Sequence, residues 1–92
     1  MTIECGEQQT NQAETVDRFT VSIDGSIIGV VLRHRYGDQW GDWKLGSNIK
    51  HRLANRNIDV EGFEAMIRDC EDYEEASAKI FYLLAMYWEP DK

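Results

Sequence analysis

Ile80-Phe81-Tyr82-Leu83-Leu84-Ala85-Met86-Tyr87-Trp88 is a run of nine residues without a charge, and the fold is organised around it. The run ends a helix that the sequence places from Asp72 to Trp88. Asp72 is a good N-cap, and Glu75 three residues on can close a capping box onto the Asp72 backbone N–H. Glu74 and Glu75 also place negative charge in the first turn, where the helix dipole favours it. Tyr73, Ala76, Ile80, Leu83, Leu84 and Tyr87 recur at helical spacing and form one apolar stripe. Pro90 cannot continue a helix and biases Glu89 away from helical angles. The second half of this helix is apolar on every side, so the expectation is that it is covered on every side. It is then either the central strut of the core or partly covered by a second subunit, as in a homodimer paired through this C-terminal helix. It is too short to span a membrane, which takes about 20 apolar residues.

Upstream of it, Asp59 can cap a helix from Val60 to about Cys70, with Val60, Phe63, Met66, Ile67 and Cys70 at core spacing. Ser47 can cap another from Asn48 to Arg56 that buries Ile49 and Leu53. Before these helices, Arg18 to Tyr36 has the pattern of a β-hairpin. Phe19, Val21 and Ile23 alternate with Thr20 and Ser22, and Asp24-Gly25 is a two-residue turn signal. The simplest register sets Val21 opposite Ile28 and Phe19 opposite Val30. It gives a core face of Phe19, Val21, Ile23, Ile28, Val30 and Leu32. Thr20, Ser22, Gly29, Arg33 and Arg35 then fall on the other face, with Ile27 and Val31 half-covered. Tyr36 to Gln39 makes a second turn into a third strand, Trp40 to Leu45, where Gly41 marks a bulge. Met1 to Cys5 suits a short edge strand, and Gly6 to Thr15 is polar and without periodicity, so residues 1–16 read as a loose or edge-strand arm. The expected fold is a single α+β domain over residues 1–92: a three-stranded antiparallel β-meander followed by three helices packed on one face of the sheet.

The totals narrow the chemistry. Ninety-two residues with 42% hydrophobic and 11% aromatic content suffice for one core. A net charge of −7 makes the chain a poor general ligand for phosphate backbones and anionic lipid. No basic stretch followed by an apolar one marks a leader, so the expectation is a cytoplasmic protein with Cys5 and Cys70 reduced. His34, His51, Cys5 and Cys70 share no spacing that preorganises a metal site. Ser22, Ser26, Ser47 and Ser77 lie in strand, turn and helix contexts and not on a nucleophile elbow. His34 with Asp38 is better explained by turn geometry than as a catalytic dyad, and no glycine pattern cradles a phosphate. The reading is of a non-enzymatic protein without cofactor or metal.

Charge segregation is more informative. Residues 1–32 carry a net −4, residues 33–56 a net +4 and residues 57–92 a net −7. Two binding surfaces follow. Glu64, Asp69, Glu71, Asp72, Glu74 and Glu75 cluster across a helix–turn–helix corner as an acidic ridge suited to a protein partner with a basic surface. The basic segment alternates cations with aromatics, Arg33, Arg35, Tyr36, Trp40, Trp43 and Lys44, which suits stacking on bases and neutralising phosphates. The first reading is favoured: an acidic protein-binding module, in its sharpest form an inhibitor that docks on a nucleic-acid-handling complex. The alternative is a small nucleic-acid-binding domain using the sheet face from Arg33 to Lys44. Size, acidity and the lack of a catalytic constellation are shared with small phage-encoded inhibitors such as anti-CRISPR and antirestriction proteins. That likeness is one of physical type and carries over no site residue.

Overall fold

The structure, a computed structural model, describes residues 1–88; the helix stop expected at Glu89 and Pro90 lies outside them. It is an α+β fold: a curled antiparallel sheet of six strands followed by three helices. The strands are β1 (Ile3–Cys5), β2 (Gln9–Thr10), β3 (Val16–Ile23), β4 (Ser26–Tyr36), β5 (Gln39–Trp40) and β6 (Lys44–Leu45). The helices are α1 (Ser47–Asn55), α2 (Val60–Ile67) and α3 (Tyr73–Tyr87). The hairpin β3–β4 is the spine. β1 and β2 both pair with the outer edge of β3, and β5 and β6 both pair with β4. The meander expected from the sequence is therefore only its centre. Its third strand is split in two, and the N-terminal arm supplies two further strands.

The Asp24-Gly25 turn forms as its residues suggest. Both have positive φ, 50° and 82°, the primed geometry that matches the twist of a hairpin. Beyond the turn the simple register fails. Ser22 pairs with Ile27 and Val21 with Gly29, so Ile28 is an extra residue on β4. This β-bulge shifts the alternation by one. Phe19 faces Val31 instead of Val30, and Asp17 faces Arg33. Val31 and Arg33 turn into the core, whereas Val30 and Leu32 are only half-buried. Gly29 sits at the bulge because α1 starts against it: a Cβ there would lie 2.5 Å from the Ile49 side chain and 2.8 Å from its amide nitrogen.

One cluster of buried side chains joins the sheet to all three helices, with Phe19, Val21 and Val31 from the hairpin meeting Leu53, Ile67, Ile80, Leu83 and Leu84. Trp43, from the gap between β5 and β6, is fully buried among them and meets Phe19 edge-on at 5.5 Å. Helix ends follow local chemistry. Asp59 accepts from the Gly62 N–H and Asp72 from the Glu75 N–H, both as expected N-caps. α1 instead begins on Gly46 without a side-chain cap, and Ser47 is already helical. It ends in a Schellman motif: Asn57 takes φ 59°, and the Asn57 and Ile58 amides donate to Ala54 and Leu53. α2 stops at Ile67, short of Cys70, and Met66 faces solvent instead of the core.

α3 departs most from expectation. Ala76, Ile80, Leu83, Leu84 and Trp88 are buried, but Phe81, Tyr82, Met86 and Tyr87 are each exposed by half or more. The helix is covered on one side only. No described helix is long and apolar enough to cross a membrane.

Candidate functional site: the acidic α2–α3 corner

The corner from Arg68 to Glu75 is held from inside by a buried cation. Arg33 lies opposite Asp17 on the neighbouring strand, and the two are 7% and 2% exposed. The Arg33 Nε and Nη2 donate to Asp17 Oδ2 at 3.2 and 3.1 Å. Its Nη1 donates to the Glu71 carbonyl at 2.9 Å. The Thr10 hydroxyl donates to the other Asp17 oxygen. The guanidinium also stacks near Trp40 and Trp43, 4.9 and 4.5 Å from the ring centroids. Only an arginine can meet a carboxylate, a carbonyl and two rings from one planar group. The Trp43 amide then donates to the Arg68 carbonyl. Two core residues thus fix the backbone on which the acids stand.

The six acids expected to form the ridge divide by role. Glu64 is half-buried and leaves the ridge: it accepts from the Leu45 amide at 2.9 Å and pairs with Lys50 at 3.4 Å. Asp72 is occupied as the α3 cap. Glu75 does not bond the Asp72 amide, as a capping box would; it accepts from the Glu71 amide, one residue earlier, at 3.4 Å. Asp69, Glu71 and Glu74 are exposed. The ion pairs among the described residues are Arg33–Asp17 and Lys50–Glu64, and neither reaches these three carboxylates.

The basic–aromatic face expected from Arg33, Arg35, Tyr36, Trp40, Trp43 and Lys44 does not assemble as one platform. Arg33 and Trp43 are inside, because the bulge turns Arg33 inward and the break after Trp40 sends Trp43 into the core. Trp40 is half-buried beneath Arg33 and Arg35, the latter 5.9 Å from its ring. Arg35 is tied to the Gly37 carbonyl. Tyr36 and Lys44 remain exposed. Nothing in the spacing of the segment distinguished a core arginine from a surface one. The buried acid opposite, Asp17, was the available signal, once the extra residue at Ile28 is counted.

The thiols are separate and free. The Cys5 thiol donates to the Ser77 carbonyl at 3.7 Å, and burial pushes its pKa from 9.0 up to about 11. Burial, and then the Glu75 charge, raise that of Cys70. Burial, and then Cys5, raise that of Tyr73, whose hydroxyl donates to the Gly6 carbonyl at 2.6 Å. Each is an acid held neutral by the fold. The unfolded chain therefore releases these protons first, and stability falls as pH rises from about 9 towards 11. Thermal unfolding followed by circular dichroism across that range should show a falling midpoint, with a shallower fall in Cys5→Ala. A midpoint unchanged over the range would contradict this burial. Among the described residues no group of three or more His, Cys, Asp or Glu side chains is placed to hold a metal ion. The chain matches no protein-family model, no curated protein and no solved structure.

Proposed function

We propose that this chain is a non-enzymatic protein-binding module whose acidic α2–α3 corner docks on a basic protein surface. In its sharpest form it is a cytoplasmic inhibitor that occupies the cationic surface of a nucleic-acid-handling complex. The observation that supports this reading is the state of Asp69, Glu71 and Glu74. All three face solvent, and no ion pair among the described residues reaches them, on a backbone fixed by Arg33 and Trp43. Rigid, unneutralised charge of one sign accelerates encounter with an opposite surface and orients it. The nucleic-acid alternative loses support with two of its six residues in the core.

The test is a comparison of the native chain with Asp69→Asn/Glu71→Gln/Glu74→Gln. A partner recovered by the native chain and then purified should bind the triple variant about 10- to 100-fold more weakly, a loss of roughly 1.4–2.8 kcal/mol. Its affinity for the native chain should fall steeply with salt. Equal binding of both chains, or a salt-sensitive gel shift on bare single-stranded DNA or RNA, would refute the reading.

A further inference from the structure

The second apolar stripe of α3 is unexplained by the core and separate from the acidic corner. Ala78, Phe81, Tyr82, Ala85 and Met86 lie away from the buried stripe of Ala76, Ile80, Leu83 and Leu84. Phe81, Tyr82 and Met86 are 52, 58 and 50% exposed. With about 150–250 Å² for a large aromatic side chain, these three leave on the order of 300 Å² of mostly apolar surface in water. That is as large as the biggest patch on a typical monomer, and such patches are commonly interaction sites.

The geometry points to a second copy of this chain as the occupant, docked by a two-fold axis that sets the two α3 helices antiparallel and crossing between Phe81 and Tyr82. The stripe is self-complementary about that point. Ala78 of one copy falls opposite Ala85 of the other, and Phe81 falls opposite Tyr82, with each contact made twice as a two-fold requires. The alanines, seven residues apart, admit close approach of the backbones, and the aromatics between them fill the space beside the crossing. Charge selects the direction. Parallel helices would lay Glu74 and Glu75 against their own copies, which is repulsive. In the antiparallel pair the two Glu75 residues are about 20 Å apart at 1.5 Å per residue, beyond the screening length of about 8 Å in physiological salt. The joint burial of roughly 600–800 Å² falls short of a stable specific interface, so the dimer is weak and reversible. The pairing does not depend on the basic partner proposed above.

Sedimentation of the native chain from about 1 μM to about 1 mM should show the mass rising from 10.7 kDa towards twice that value. Phe81→Glu/Tyr82→Glu, which alters only exposed positions, should raise the dissociation constant at least about 30-fold with an unchanged circular dichroism spectrum. If that spectrum changes, orientation is tested without it. In a glutathione buffer, equal amounts of Ala78→Cys and Ala85→Cys chains should form the mixed disulfide between those two positions, identified by mass spectrometry. Ala78→Cys chains alone should not link through that position. A monomer throughout the concentration range, a dimer indifferent to the double substitution in folded protein, or ready linkage of Ala78→Cys to itself would each overturn the assignment. A stripe reserved for a foreign protein would give the first of these results.

Discussion

Asp17→Ala is expected to destabilise the protein by about 3–5 kcal/mol, because it strands the Arg33 guanidinium without its carboxylate in the core. Total stabilities of small domains are about 5–15 kcal/mol, so the variant should sit near its unfolding transition in plain buffer. The loss comes from desolvation. Arg33 is 7% exposed and would retain only the Glu71 carbonyl and two aromatic rings. Removing both charges should therefore undo most of the damage, since two apolar side chains of similar volume need no partner. Urea unfolding of Asp17→Leu, Arg33→Met and the double variant measures this. The double variant should lie within about 1–2 kcal/mol of the native chain, with strong coupling between the sites. Single losses below about 1 kcal/mol would show that water reaches the pair. Detachment of Arg33 from Glu71 should also loosen the acidic corner, so partner binding should weaken in Arg33→Met while all corner acids remain.

Leu84→Ala should cost about 2–5 kcal/mol, the range for a fully enclosed leucine. Leu84 is 1% exposed and belongs to the cluster that joins the sheet to the helices. Two residues earlier on the same helix, Tyr82→Ala should change the stability of the dilute monomer by no more than about 0.5 kcal/mol. The contrast tests the two-sidedness of α3. Equal and large losses at both positions in dilute monomer would mean that Tyr82 is covered by this chain itself. A loss below about 0.5 kcal/mol at Leu84 would mean that α3 is not central to the core.

Much of the architecture was legible in the sequence because local chemistry and long-range packing agree there. Asp59 and Asp72 cap the helices they announce, Asp24-Gly25 makes its turn, and strands precede helices in an α+β order. Ile3–Cys5 is the edge strand its alternation suggested. The misses upstream of α3 share one cause: each was decided by a residue distant in sequence. Gln9–Thr10 resembles a loop, yet it pairs with Asp17 and Arg18, and Thr10 supplies a hydrogen bond that the buried carboxylate needs. Period-two counting cannot reveal the extra residue at Ile28, so alternation alone places Arg33 and a half-covered Val31 on the outer face and Val30 and Leu32 on the core face. Glu64 looked like one more surface acid until α2 packed beside β6 and offered it the Leu45 amide. For α3 the inference from composition was too strong. This chain covers one side of the helix only, and Phe81, Tyr82, Ala85 and Met86 are left on its surface.

β1 is laid against both β3 and α3, and the links are specific: the Cys5 thiol to the Ser77 carbonyl, and the Tyr73 hydroxyl to the Gly6 carbonyl. Residues separated by some seventy positions thus close the structure together. During synthesis the arm emerges well before α3 and has its strand neighbour early, but it waits for that helix before its inner side is sealed. Such distant closures slow folding and prolong the exposure of greasy intermediates. The nascent chain therefore completes its fold only after α3 has emerged, and a ribosome stalled before that helix would hold an open sheet in need of a chaperone.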